Sequence, residues 1–268
     1  MLSLLKNALL ITVALYFLAC AALYFFQNRL LYYPTPETKT AQADEFTISN
    51  DGLTLKIWKV DAGNRRVIFY FGGNAETVQR NIAPLRETVS DADLYLMNYR
   101  GYGGSEGAPS EQGVYSDALA LYDAIAPNYD EIIVIGRSLG SGVATYLAAN
   151  RSVSHIVLIT PYDSIANVAQ AKFPIFPVKL LIRDRYDSAG RAENLSAPVL
   201  MILAENDAVI PRHHSDALAS AIRNAPVETV TVEDTNHLSV SSKPEFWSAL
   251  RAFLSVQTTT APLIAAPE

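Results

Sequence analysis

The sequence predicts an α/β protein: an eight-stranded, mostly parallel sheet with helices on both faces, preceded by one N-terminal transmembrane helix. Three observations carry this reading. Short apolar, β-branched runs alternate with stretches of helical periodicity from about residue 45 onward. The first two runs are joined by Asn50-Asp51-Gly52, a hairpin signal. Ahead of them, Ala8 to Phe26 is an apolar run with one polar member, Thr12.

That run is 19 residues long, with Lys6 before it and Gln27-Asn28-Arg29 after it. A helix of this length crosses a bilayer core. Tyr24, Tyr32 and Tyr33 suit the interface. Two other readings compete with a retained anchor over residues 1–27. A cleaved signal peptide has a shorter apolar region and an A-x-A site directly behind it, which residues 27–40 lack. A lipoprotein signal would use Phe17-Leu18-Ala19-Cys20, yet the residues after Cys20 stay apolar. Lys6 and the α-amine balance Arg29 and Lys39, so the positive-inside count assigns no membrane side.

A single domain follows, over residues 28–256. Its strand-like runs are Glu45–Ile48, Leu53–Val60, Val67–Phe71, Leu94–Tyr99, Glu131–Ile135, His155–Thr160, Val199–Leu203 and Val227–Val232. Several are continuous and β-branched, as strands buried on both faces are. Val114, Ala118, Leu121, Tyr122 and Ile125 recur at helical spacing. Phe246, Trp247, Leu250, Phe253 and Leu254 do so again, behind Ser242-Lys-Pro-Glu245, a capping-box pattern. Residues 163–196 leave room for a short cap, and Phe173-Pro-Ile-Phe-Pro-Val178 makes it apolar. That stretch fits core packing and an acyl-chain wall equally well. Residues 257–268 read as a tail without a packing role.

Composition narrows the chemistry. The chain has 21 basic and 27 acidic residues; without residues 1–40 it keeps 18 and 26. An acidic body excludes nucleic acid as the main partner. The single cysteine, Cys20, excludes an internal disulfide and a thiolate zinc site, and four histidines leave little room for a metal centre. No phosphate-binding G-x-x-x-x-G-K-[ST] occurs, Gly101–Glu106 departs from G-x-G-x-x-G at its last position, and H-E-x-x-H is absent. No cofactor is expected.

G-x-S-x-G occurs twice, at Gly136–Gly140 and at Gly103–Gly107. A nucleophile elbow needs a strand running into the turn and a helix running out. Ser138 has both: Glu131–Ile135 before it and Ser141–Ala149 after it. Ser105 is followed by Glu-Gly-Ala-Pro109, which starts no helix, so it reads as a loop serine. A serine nucleophile needs a base and an orienting acid. His237 lies beyond the carboxyl end of the last strand, where catalytic groups of parallel sheets collect. His155 precedes a strand and points away, while His213 and His214 read as solvent-facing in the first turn of a helix. Asp207 follows the seventh strand, giving the chain order Ser138, Asp207, His237. Asp163 and Glu205 are the competing acids. Backbone donors for an oxyanion are expected at Leu139, opening the helix after Ser138, and at Asn74, after Gly72-Gly73.

These residues resemble the α/β-hydrolase superfamily, and more narrowly the Bem46-like and ABHD13/ABHD17-type serine hydrolases. The likeness is carried by Phe69–Ala75, Asn98–Gly107, Gly136–Gly140 and Glu205–Pro211, and runs from about residue 28 to 255. It implies an α/β-hydrolase fold, a triad on Ser138, Asp207 and His237, and no cofactor. It also implies a substrate that is a small-molecule or lipid acyl ester, or an acylated protein. The family has His-Gly-Asn where this chain has Gly72-Gly73-Asn74, which removes a side chain that braces the turn. A catalytically idle binding module at the membrane is the alternative that this departure supports.

Overall fold

The computed structural model describes residues 1–255; the expected tail at 257–268 lies outside them. Helix α1 runs from Leu2 to Leu31. Eight strands follow: β1 Asp44–Asn50, β2 Leu53–Val60, β3 Arg66–Phe71, β4 Asp93–Met97, β5 Glu131–Arg137, β6 His155–Ile159, β7 Val199–Ala204 and β8 Val227–Val232. They form one sheet in the order β1-β2-β4-β3-β5-β6-β7-β8. The pairs β1–β2 and β2–β4 are antiparallel and all others are parallel.

Local chemistry explains the first hairpin. Asn50 pairs with Leu53, so the loop is the two residues Asp51 and Gly52. Both have positive φ, 52° and 74°, as a type I′ turn requires. β3 to β7 are almost wholly buried because helices cover both faces. On one face Phe69 and Phe71 pack with Val114 and Leu121 of α3 (Glu111–Ile125) and Val143 and Leu147 of α4 (Leu139–Asn150). On the other, Ile68 and Tyr70 pack with Ile82 and Leu85 of α2 (Ile82–Thr88) and Phe246 and Leu250 of α8 (Pro244–Ser255).

Several strand ends differ by one or two residues from the sequence reading, and two boundaries differ for a local reason. β4 stops at Met97, two residues early, because the chain then turns through Tyr99–Ser105, with Tyr102 N–H donating to Tyr99 O at 2.8 Å. α8 begins at Pro244 with Lys243 extended ahead of it, so Ser242 ends a preceding 3-10 turn and does not cap the helix.

The cap between β6 and β7 holds α5 (Ile165–Lys172) and α6 (Val178–Leu181). The C-terminal part of α1 leans on it. The Gln27 side-chain carbonyl accepts from Arg183 N–H at 2.7 Å, and its amide donates to Leu181 O at 3.2 Å. Tyr32 is buried at the helix exit, donating to Asp184 at 2.8 Å, with Tyr186 OH 3.0 Å away. Burial pushes the Tyr32 phenol well above its usual range, which keeps it a neutral donor. The N-terminal part of α1 is exposed from Leu2 to Leu18, and α1 is long and apolar enough to cross a membrane.

Candidate active site

Ser138 sits where β5 gives way to α4, at the carboxyl edge of the parallel sheet. Its backbone is strained, with φ 49° and ψ −115°. Packing imposes that strain. A Cβ at Gly136 would stand 2.3 Å from Gly140 O, and one at Gly140 would stand 2.0 Å from Phe71 O. Only hydrogen fits at either position, so the strand and helix close tightly around the serine.

The turn places Ser138 Oγ 2.8 Å from His237 Nε2, and His237 Nδ1 lies 2.7 Å from Asp207 Oδ2. His237 and Asp207 come from the loops after β8 and β7. Asp207 is fixed from behind: its Oδ1 accepts the N–H groups of Val209 and Ile210 at 2.9 and 2.8 Å. The Asp207 and His237 side chains are only 6% and 10% exposed, so their mutual charge stabilisation is little screened. The arrangement lets His237 take a proton from Ser138 while Asp207 holds the ring in place.

The rival residues are engaged elsewhere. Ser105 Oγ accepts Lys56 N–H at 2.9 Å and donates to Asn98 O at 3.0 Å, binding its loop to β2. Glu205 is exposed and accepts Asp234 N–H. His155 is buried at the start of β6, edge-on to Phe253. His213 is exposed as expected, but His214 is not. It is 4% exposed, with Nδ1 2.8 Å from Asp163 Oδ1. α7 (Arg212–Ala221) turns His214, Ser215 and Leu218 inward together, and Asp163 supplies the partner that makes burial affordable. That pairing also removes Asp163 as a partner for His237.

The turn after β3 is braced without any side chain at position 72. A Cβ at Gly72 would approach Val78 Cγ1 to 2.6 Å, so a larger residue there would have to displace that side chain. Glu76 braces the turn instead. Its carboxylate accepts the Gly73 N–H, Tyr70 OH at 3.0 Å and the Asn81 amide at 2.8 Å. Arg137, inside the elbow motif, lies 3.4 Å from Glu76 and donates to Leu238 O at 3.0 Å, linking the turn to the His237 loop. Tyr99 OH donates to Gly72 O at 2.8 Å, and burial raises that phenol so that it stays a donor. Glu76 went unnoticed in the sequence. Its only signal is a carboxylate three residues after Gly73, the spacing of a side chain that bonds back across a turn.

Asn74 uses its side chain as well. Oδ1 accepts Tyr33 N–H at 2.9 Å and Tyr102 OH at 2.8 Å, and Nδ2 donates to Leu31 O. Leu139 is the first residue of α4, so its N–H has no helical acceptor and is available to an anion at the helix start. No group of histidine, cysteine and carboxylate side chains suited to a metal occurs among the described residues.

Comparison with known proteins agrees with this architecture. A sequence profile for the alpha/beta hydrolase fold matches residues 67–177. An uncharacterized protein of Mycobacterium tuberculosis is 31% identical over 227 residues, 79% of this chain and 80% of that one. An uncharacterized membrane protein of Saccharomyces cerevisiae is 25% identical over 265 residues, 90% and 93% of the two chains. Among solved structures, the Pyrococcus furiosus esterase Pf2001 superposes with a TM-score of 0.66 at 18% identity, over 83% of this chain and 98% of that one. At that identity the likeness is one of fold.

Proposed function

The chain belongs to the α/β-hydrolase superfamily, and from that premise we propose that it is a membrane-anchored serine hydrolase of the Bem46-like type. It cleaves carboxylic ester or thioester bonds of acyl substrates. The observation that carries the proposal is the unbroken hydrogen-bonded line from Ser138 through His237 to Asp207, on a strained elbow.

In the proposed reaction Ser138 Oγ attacks the acyl carbonyl as His237 takes its proton. The tetrahedral oxyanion is held by the N–H groups of Leu139 and Asn74. His237 returns the proton to the departing alcohol or thiol, leaving an acyl-enzyme. Water, deprotonated by His237, releases the acid. The chemistry uses no cofactor. α1 serves as the anchor, a reading supported by its length and apolarity and by the membrane protein among the relatives. The brace that Glu76 gives the turn supports the hydrolase reading over an idle binding module.

A fluorophosphonate probe tests the proposal. The detergent-solubilised chain is expected to be labelled, with the adduct on the peptide containing Ser138 and with labelling kept in Ser105→Ala. Absence of adduct on the folded wild type, or an adduct on Ser105, would overturn it.

A further inference from the structure

We propose that the groove between the anchor helix and the cap is the acyl-chain site, and that the cap tip lies in the leaflet crossed by the C-terminal half of the anchor. The substrate is then a long-chain ester taken from the bilayer. This deepens the hydrolase reading and rests on it.

The groove encloses about 120 Å³ between Leu23, Leu30 and Leu31 of α1 and Ile165, Ala169 and Phe173 of the cap. A space of this size, walled by aliphatic groups, takes an apolar molecule more readily than water. Gln27 is the one polar lining residue, and its amide is already bonded to cap backbone. The groove is linked to the site through the turn after β3. The carbonyl of Leu31 is held by the Asn74 side chain, and the neighbouring Gly73 is close enough that a Cβ there would stand 3.5 Å from Ser138 Cβ.

The depth of the cap follows from one contact. Tyr16 OH donates to Ile175 O at 3.0 Å, and the Tyr16 ring stacks on Phe176 with centroids 5.8 Å apart. Tyr16 precedes Phe26 by ten residues, about 15 Å along a helix axis, which is near the middle of the apolar run. Inside hydrocarbon both a phenol and a loop carbonyl need a partner, and here they satisfy each other. Around them Ile175 and Leu180 are 72% and 85% exposed, and Phe173 is half exposed. Such a patch on a water-facing surface would be a liability.

Charge agrees with a leaflet surface as the occupant. Between residues 172 and 185 the charged residues are Lys172, Lys179, Arg183, Arg185 and Asp184. The four cations are exposed, whereas Asp184 is engaged by Tyr32. In a chain of net charge −6 this is a basic collar, suited to anionic headgroups. The long stems of Lys172 and Lys179 let their ammonium groups reach the headgroups from a tip that lies deeper.

The test uses the full chain in vesicles of phosphatidylcholine and phosphatidylglycerol. Tryptophan is placed at the tip in Ile175→Trp and Leu180→Trp, over the wild-type background of Trp58 and Trp247. Lipids brominated on their acyl chains are expected to quench the added emission several-fold more than that of the wild type. Added emission that stays unquenched overturns the leaflet placement. Ala169→Trp fills the groove. Its kcat/KM is expected to fall more than tenfold on a long-chain ester and to stay within twofold on an acetyl ester. Equal effects on both esters, or none on either, overturn the groove. A wild type inert toward both esters overturns the hydrolase reading and the groove's acyl role with it, and the quenching alone then decides where the cap lies.

Discussion

Replacing Ser138 by alanine is expected to lower kcat on an acyl ester about a millionfold, to the level that binding and oxyanion donors alone supply. The fold should be unchanged, because among the described residues Ser138 Oγ bonds only to His237 and contributes no packing that alanine lacks. Asp207→Asn belongs to the same series, with an expected loss of about 10⁴ in kcat. Asparagine keeps an acceptor for the Val209 and Ile210 N–H groups, so the loop stays in place. Its amide then faces His237 Nδ1 as a donor and stabilises the tautomer that cannot receive the serine proton. Steady-state rates with thermal unfolding measured in parallel separate chemistry from folding. If Ser138→Ala, still folded, retained more than about a hundredth of the wild-type rate, the assigned nucleophile would be wrong.

Gly140→Ala is expected to cost about 3 kcal/mol and lower the Tm on the order of 10 °C. The added methyl would lie 2.0 Å from Phe71 O and 2.7 Å from Gly72 O. Neither carbonyl can step aside cheaply. Phe71 ends β3, in register with Met97 of β4 on one side and Gly136 of β5 on the other. α4 would have to lift off the sheet, carrying Leu139 N–H with it. Esterase activity should therefore fall alongside stability. Differential scanning calorimetry of the solubilised chain reads the first effect. A Tm within about 2 °C of wild type would mean that helix and strand are less closely apposed than described.

The parts of the molecule that were legible in the sequence are those governed by short stretches of chain. Asn50-Asp51-Gly52 announces its own turn, and Glu131–Ile135, Ser138 and Ser141–Ala149 announce strand, elbow and helix in sequence. Asp207 and His237 followed because each lies just past a recognisable strand. The less legible parts depend on contacts between distant segments. Which side of α7 faces inward is set by what packs against it, and His214 is buried because Asp163, 51 residues earlier, waits there. Glu76 braces the turn from four residues beyond Gly72, so a comparison of the motif at positions 72–74 does not register it. The use of the Asn74 side chain was hidden for the same reason, its partners Leu31 and Tyr33 being 43 and 41 residues away.

That last contact makes the anchor more than a leash. The residues leaving the helix are stitched through Asn74 to the very turn proposed to cradle the reaction's negative charge. A shift of Leu31 or Tyr33 therefore reaches that turn directly, through two hydrogen bonds. In mechanical terms the exit of α1 and the turn beside Ser138 share one short strut, the Asn74 side chain.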